Sequence, residues 1–292
     1  MTFWKYYHLA KNIPDALHVL TQAPGPARLI SGGTDLLLDL QQGRHSPVHT
    51  LVDVTHVPEM SIIEIRQDRL FVGAAVPLNS VVASPLVQRH GQVLVEAAGL
   101  IGGPQVRNTA TLGGNVAHAL PAGDGTIALL ALEASAEVAN QRGLRQVPMR
   151  ELFLGPGRSA LDPQNDMLVG FYLPLRSTGQ GSAFKRVMRP QGVAIAILNS
   201  AVWVQREGER IAGIRIAMGP AGPTPFRALA AEETLRMQLM NEESVRRAIE
   251  TLLAEARFRT SPHRATLEYR REMANILLTD TLTLAWHRTF EK

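Results

Sequence analysis

The sequence predicts an α+β protein of two domains. Three observations lead there. Across residues 1–178 short strand-like runs mix with segments of helical periodicity; after residue 181 three strand-like runs follow one another; beyond them apolar residues recur at helical spacing. The 292 residues, 45% of them apolar, are ample for one large or two modest cores.

Asn12 can cap a short helix with Pro14 in its first turn and Ala16, Leu17 and Leu20 on one face. Residues 27–30 read as a strand, Ser31-Gly32-Gly33-Thr34-Asp35 as a turn and residues 36–40 as a short helix, together a βα unit. The next strand is expected at residues 50–54. Residues 62–65 and 70–72 flank the polar pair Gln67-Asp68 and predict a hairpin. Helical character returns over residues 80–89, interrupted by Pro85, and over residues 92–98. A glycine-rich stretch, residues 99–125, is too long and too particular for a plain linker. A helix is expected over residues 126–132, and strands over 136–139, 144–147 and 167–173.

Residues 176–181 are polar and glycine-rich and follow Pro174, which marks a boundary between domains at 1–178 and 181–292. Strand-like runs at 183–188, 194–204 and 211–218 come next, with Glu207-Gly208-Glu209 as the turn between the last two. Asn241 can cap a helix whose first turn carries Glu242 and Glu243, charges that suit the helix dipole. Ser261-Pro262 is expected to open the last helix, which carries Leu267, Ile276 and Leu277.

Composition excludes several functions. With 30 basic against 26 acidic residues the formal charge is +4, and no basic stripe marks a nucleic-acid surface. There are no cysteines, so this chain holds no disulfide, no thiolate nucleophile and no cysteine-ligated zinc or iron–sulfur cluster; any such cluster belongs to another subunit. The N-terminus lacks a basic-then-apolar signal pattern, and no stretch approaches the roughly 20 apolar residues of a membrane span. A soluble cytoplasmic protein is expected.

Two glycine loops can carry chemistry. In Leu29-Ile30-Ser31-Gly32-Gly33-Thr34-Asp35-Leu36, adjacent glycines after a strand allow a tight turn that exposes successive N–H groups, and a following helix adds a favourable dipole for phosphate. Thr34 can add a hydroxyl donor; Asp35 is expected to brace the loop rather than face phosphate. In Thr111-Leu112-Gly113-Gly114-Asn115 the glycine pair again clears space, Thr111 and Asn115 offer hydrogen bonds, and Asp124 can accept from ribose hydroxyls. A lone Gly-Gly-Thr most often only supplies turn geometry. Two phosphate cradles together suit a pyrophosphate-bridged dinucleotide such as FAD, although neither is a G-x-G-x-x-G fingerprint or a P-loop.

The combination, with Asp124 nine residues after Asn115, resembles the flavoprotein subunit of the molybdenum hydroxylases, relatives of xanthine dehydrogenase and carbon monoxide dehydrogenase. Ile101-Gly102-Gly103-Pro104-Gln105-Val106-Arg107-Asn108-Thr109-Ala110 leads into the second loop as in that family, and the order of elements extends the resemblance over essentially the whole chain. The resemblance implies a vanillyl-alcohol-oxidase-type FAD-binding domain of two α/β subdomains. It also implies a C-terminal domain with a three-stranded antiparallel sheet and helices. It implies that Arg28, Leu29, Ile30, Ser31, Gly32, Gly33, Thr34, Asp35 and Leu36 hold the FAD pyrophosphate, and that Thr111, Gly113, Gly114 and Asn115 contact the pyrophosphate and ribityl chain. Asp124 and the apolar Leu168 match cofactor-binding positions, Lys185 a basic residue near the flavin, and Ile101 a residue close to the isoalloxazine. Relatives often place an acidic residue where Gly192 stands, which leaves Arg189 without an assigned role. Some relatives carry a cysteine-ligated cluster in an inserted loop; a chain without cysteine is not one of them.

The implied activity is a conduit. A molybdenum-cofactor large subunit oxidises substrate, an iron–sulfur small subunit carries the electrons, and FAD here hands them to NAD or another acceptor. No catalytic side chain and no metal ligand is expected in this chain. A stand-alone flavin oxidoreductase of the same fold and a flavin-free assembly subunit are the competing readings. His118 is read as a polar loop residue, although it could approach the flavin. His45 and His49 have metal-ligand spacing, but Pro47 between them argues against a helix. Trp4, Trp203 and Trp286 read as packing residues, and Glu133 and Glu137 straddle a helix end.

Overall fold

A computed structural model describes residues 2–189 and 195–291. Gly192 and the first residue of the strand expected at 194–204 lie outside the described residues. The chain opens with β1 (Trp4–Leu9), α1 (Ile13–Gln22), β2 (Ala27–Ile30), α2 (Leu36–Gln41) and β3 (Val48–Asp53), whose strands form a parallel sheet in the order β1-β3-β2. Asn12 caps α1: its side-chain oxygen accepts the Asp15 N–H at 2.9 Å, and Ala16, Leu17 and Leu20 are buried beneath. Strand β1 is not foreseen by the sequence pattern. No residue of that strand is buried, so no apolar alternation marks it, and its partner β3 is remote in the chain.

β4 (Ile63–Arg66) and β5 (Arg69–Gly73) form the expected hairpin. Helices α3 (Leu78–Ala83) and α4 (Pro85–His90) are separate because Pro85 starts a new helix, with the Ser84 hydroxyl oxygen accepting the Val87 N–H at 3.4 Å. After α5 (Gln92–Leu100), the glycine-rich stretch holds α6 (Pro104–Arg107) and α7 (Leu112–Ala117) and runs into α8 (Asp124–Ala131). Next come β6 (Ser135–Asn140), β7 (Gly143–Pro148), the unexpected short pair β8 (Phe153–Gly155) and β9 (Arg158–Ser159), and β10 (Met167–Pro174). An antiparallel sheet runs β4-β5-β10-β6-β7. Its middle strand β10 is almost wholly buried, and its Phe171, like Phe71 of β5, is among the largest fully buried side chains. Each such side chain contributes about 1.5–3 kcal/mol by leaving water.

The remainder is β11 (Gln180–Val187), β12 (Leu198–Glu207), β13 (Arg210–Gly219), β14 (Phe226–Arg227), α9 (Leu229–Leu235), α10 (Glu242–Glu255) and α11 (Leu267–His287). The sheet is β11-β12-β13-β14, so the three expected strands are joined by a fourth of two residues, too short to announce itself by alternation. α10 starts with a capping box between Asn241 and Ser244. α11 does not open at Ser261-Pro262. Ser261 instead donates its N–H to the Ala265 carbonyl at 2.9 Å and accepts from Arg264 at 3.0 Å, and this turn hands the capping role to Thr266. Among the described residues, no helix is long and apolar enough to cross a membrane.

This last sheet is covered on both faces. α5 and α8 pack on one, α11 on the other. Successive residues of β11 therefore enter different cores: Ala183 joins the cluster beneath α10 and α11, and Phe184 joins the cluster of the first half of the chain. That parity positions the site.

Candidate cofactor cleft

A cleft of about 610 Å³ opens where the two glycine loops face the end of β11. Every residue from Arg28 to Leu36 lines it, as do Ile101, Thr111, Gly114, Asn115 and Asp124. Its size falls within the range of small-molecule sites.

The first loop is shaped by close approach. A Cβ on Gly32 would stand 2.2 Å from the Thr109 carbonyl oxygen and 2.8 Å from the Ala110 Cα, so the two loops touch backbone to backbone. Gly33 follows at φ +67°, in the left-handed region. Among the described residues, the N–H groups of Gly32, Gly33, Thr34 and Asp35 donate to no acceptor in the chain, and the buried Ser31 hydroxyl has no partner. Buried polar atoms normally find partners, so this set of donors suits an anionic ligand. Asp35 does not brace the loop through its carboxylate. It already has helical dihedrals (φ −96°, ψ −47°) and makes no side-chain capping bond; only its carbonyl is engaged, by the Asp39 N–H at 2.8 Å.

The second loop is ordered from within. Thr111 caps α7, its hydroxyl oxygen accepting the Gly114 N–H at 3.1 Å. The Asn115 side-chain oxygen accepts the Thr126 N–H at 3.2 Å and ties α7 to α8. Gly113 turns away from the main cleft: a Cβ there would meet the Ala74 Cβ and carbonyl oxygen at 2.6 Å.

Asp124, expected to accept from ribose, is already held by the protein. One carboxylate oxygen accepts from the Arg186 guanidinium, the other from the Asn199 amide at 2.6 Å. The side chains of Asp124 and Arg186 are 6% and 5% exposed. Burial pushes the Asp124 carboxyl above its ordinary range, and Arg186 and Asn199 pull against that shift. Each oxygen can accept a second bond, so hydrogen-bonding capacity toward the cleft remains.

Residues 2–176 match the family model described as the FAD binding domain in molybdopterin dehydrogenase, and residues 182–285 match the CO dehydrogenase flavoprotein C-terminal domain. The chain belongs to the FAD-binding subunits of the molybdenum hydroxylases. It is 33% identical over 267 residues to the putative xanthine dehydrogenase FAD-binding subunit XdhB of Escherichia coli K12, covering 90% of each chain. It is 31% identical over 282 residues to the carbon monoxide dehydrogenase medium chain of Hydrogenophaga pseudoflava, covering 97% of each. Among solved structures, carbon monoxide dehydrogenase from Hydrogenophaga pseudoflava lacking the Mo-pyranopterin moiety superposes with a TM-score of 0.92, covering 97% of this chain and 98% of that one.

The cleft of this flavin subunit does not gather every expected residue. Leu168 and Gly113 line a smaller adjoining cavity of about 190 Å³, which shares Arg28, Leu29, Ser31 and Gly114 with the main cleft. Lys185 lines neither; it faces α11 and pairs with Asp280 at 2.9 Å on the surface. Its neighbour Arg186 does line the cleft, as does Arg28. The signal for Arg186 was strand alternation, but alternation does not say which face meets the cleft. Asn199, one strand over, likewise had no mark in the sequence.

The remaining candidates separate. His118 and His45 line the cleft, the latter 3.9 Å from Asp39, whereas His49 stacks on Tyr6 with ring centroids 4.9 Å apart. Glu133 pairs with Arg215 at 2.8 Å and Glu137 accepts the Tyr172 O–H at 2.9 Å, so they form no carboxylate pair. Trp4 packs beside Ile30, Val48 and Leu51, Trp203 lies under the Arg215 guanidinium at 4.0 Å, and Trp286 meets Phe290 edge-on at 6.0 Å.

Proposed function

We propose that this chain is the electron-transfer subunit of a molybdenum hydroxylase complex. In this reading it accepts electrons from a small iron–sulfur subunit served by a molybdenum-cofactor large subunit, and passes them to NAD or another acceptor. The observation that carries the reading is the donor-rich cleft between two glycine loops, in a chain whose whole length matches such subunits. Bound FAD supplies the one- and two-electron chemistry.

The chain's own residues bind and orient. The free N–H groups of Gly32 to Asp35 and the Ser31 hydroxyl suit the pyrophosphate, with the start of α2 behind them. Thr111, Gly114 and Asn115 form the opposite wall, and Ile101 and Leu168 supply apolar contacts. Arg186, anchored by Asp124, keeps a buried Nε–H without a partner among the described residues, a donor that suits an anionic ligand. No side-chain nucleophile or acid–base pair is needed. The FAD-binding part is taken as residues 1–178 and the C-terminal part as 181–292.

The test is the visible spectrum of the purified chain with chromatography of the heat-released flavin. Bands near ~450 nm and released FAD are expected. Co-expression with its neighbours should recover iron–sulfur and molybdenum subunits. A chain that stays colourless after incubation with FAD refutes the cofactor assignment, and turnover of an organic substrate by the chain alone refutes the conduit.

A further inference from the structure

A second cavity, of about 400 Å³, lies at the opposite end of β11 from the flavin cleft, where the two halves of the chain meet. Its walls come from α4 and the start of α5, the end of β10, the 174–182 connection, and β12, β13 and the C-terminal segment. None of its residues lines the flavin cleft. Among the described residues, three guanidiniums, of Arg176, Arg215 and Arg288, line it with one carboxylate side chain, that of Glu291.

We infer that this cavity binds a small organic phosphate monoester. The cations are held in place by the protein and are not all neutralised. Arg176 donates to the carbonyls of Gln180, Arg288 and Glu291, each at 3.0 Å, through Nε and Nη2; these bonds fix the fork and leave Nη1 without a partner among the described residues. It has no carboxylate partner among them either. Arg288 is anchored by the Ser182 carbonyl at 2.7 Å and by Glu96, and Arg215 by Glu133 at 2.8 Å and by stacking on Trp203. Planar forks fixed from several directions match a tetrahedral dianion better than flexible lysines would.

A neutral donor completes the set. The Arg176 N–H donates to His90 Nδ1 at 3.0 Å, so Nδ1 is the acceptor and the proton of the neutral ring sits on Nε2. Burial, with Arg89 and Arg176 nearby, pushes the His90 imidazole below its ordinary value, as expected beside a concentration of positive charge. The cavity is several times larger than inorganic phosphate needs. Gln88, Gln92 and Trp203 offer amides and an aromatic surface to an organic body. The ligand would bridge the two halves of the chain.

The experiment is isothermal titration of the purified, FAD-loaded chain with AMP, ribose 5-phosphate, inorganic phosphate and adenosine. AMP and ribose 5-phosphate should bind at least tenfold more tightly than adenosine or inorganic phosphate. The substitutions R176Q and R215Q should each weaken them tenfold or more without loss of flavin. R176Q also removes three bonds to backbone carbonyls, so its melting temperature is measured alongside. R215Q unpairs the exposed Glu133 and removes the stacking on Trp203 but breaks no bond to backbone among the described residues, and it stands as the test if R176Q fails to fold. The inference is overturned if neither organic phosphate binds at millimolar concentration, if adenosine binds as well as AMP, or if R215Q binds like the wild type. Binding seen only with flavin-free protein also overturns it, since the ligand would then be in the flavin cleft.

Discussion

Alanine at Gly32 tests whether contact between the two glycine loops builds the cofactor cleft. The new Cβ would lie 2.2 Å from the Thr109 carbonyl oxygen, about 1 Å inside the roughly 3.3 Å at which carbon and carbonyl oxygen rest. The backbone fixes the position of the Cβ and carries the oxygen, so no rotamer change relieves the clash and the loops must separate by about that ångström. Overpacking of this kind costs about 1–3 kcal/mol. With an unfolding entropy near 2.1 cal/mol/K per residue, 292 residues give about 0.6 kcal/mol/K, so a 2 kcal/mol loss lowers Tm by about 3 °C. The effect on the cofactor should be larger in proportion. Displacing one charge-assisted hydrogen bond costs about 1.5–3 kcal/mol, a ten- to hundredfold rise in Kd for FAD. Fluorescence titration of the apoprotein with FAD, paired with thermal melts, reads both. Gly43 is the control: its φ is +69° and a Cβ added there would meet nothing within 4 Å, so G43A should cost about 1–2 kcal/mol and leave FAD affinity alone. A G32A protein that binds FAD as tightly as the wild type would refute the cradle.

Other substitutions probe the electrostatics. R186Q or D124N alone should destabilise by about 3–5 kcal/mol, because each leaves a buried partner uncompensated, and the double variant should recover part of that; additive losses in denaturant melts would show the pair is not coupled. K185Q should change stability by less than about 1 kcal/mol and leave flavin content unchanged, since Lys185 and Asp280 are both roughly half exposed; a colourless K185Q would put Lys185 back at the cofactor. S31A should weaken FAD by about tenfold with an unchanged Tm, as its hydroxyl has no partner in the chain; equal FAD affinity would remove Ser31 from the site. Tyr7 gives a pH test: partial desolvation of its half-exposed side chain, then the O–H it donates to Asp53, push it up to about 12. A raised pKa means its contribution to stability is intact below the unfolded value near 10 and is lost as pH rises through about 12. Absorbance at ~295 nm should show a late ionisation that Y7F removes, distinct from that of Tyr172, which is also raised; loss of an ordinary one instead would contradict it.

Local chemistry explains what was legible. Residues 27–30 form a strand with the bounds read from the sequence, and the hairpin around Gln67-Asp68 and the Asn12 and Asn241 caps depend on neighbours within a few positions. Both glycine loops were visible because a run of glycines after a strand is itself a backbone statement. The misses share another feature. β1 has no buried residue, β14 has two residues, and the turn after Ser261 competes locally with the helix start expected there.

The sequence by itself determined the α+β organisation, both glycine loops and the absence of any cysteine-ligated centre, because periodicity, turn chemistry and composition are properties of short stretches. The family followed from those loop motifs in order. Only the tertiary structure decided which of Lys185 and Arg186 lines the cleft. Lys185 and Arg186 are adjacent on one strand and point to opposite faces, and the choice rests on α8 packing on one side of that sheet and α11 on the other. The same packing buries Asp124 against Asn199, residues far apart in the chain, and brings Arg176, Arg215 and Arg288 around one cavity. Contacts between remote residues carry no local pattern, so the folded chain is where they are first seen.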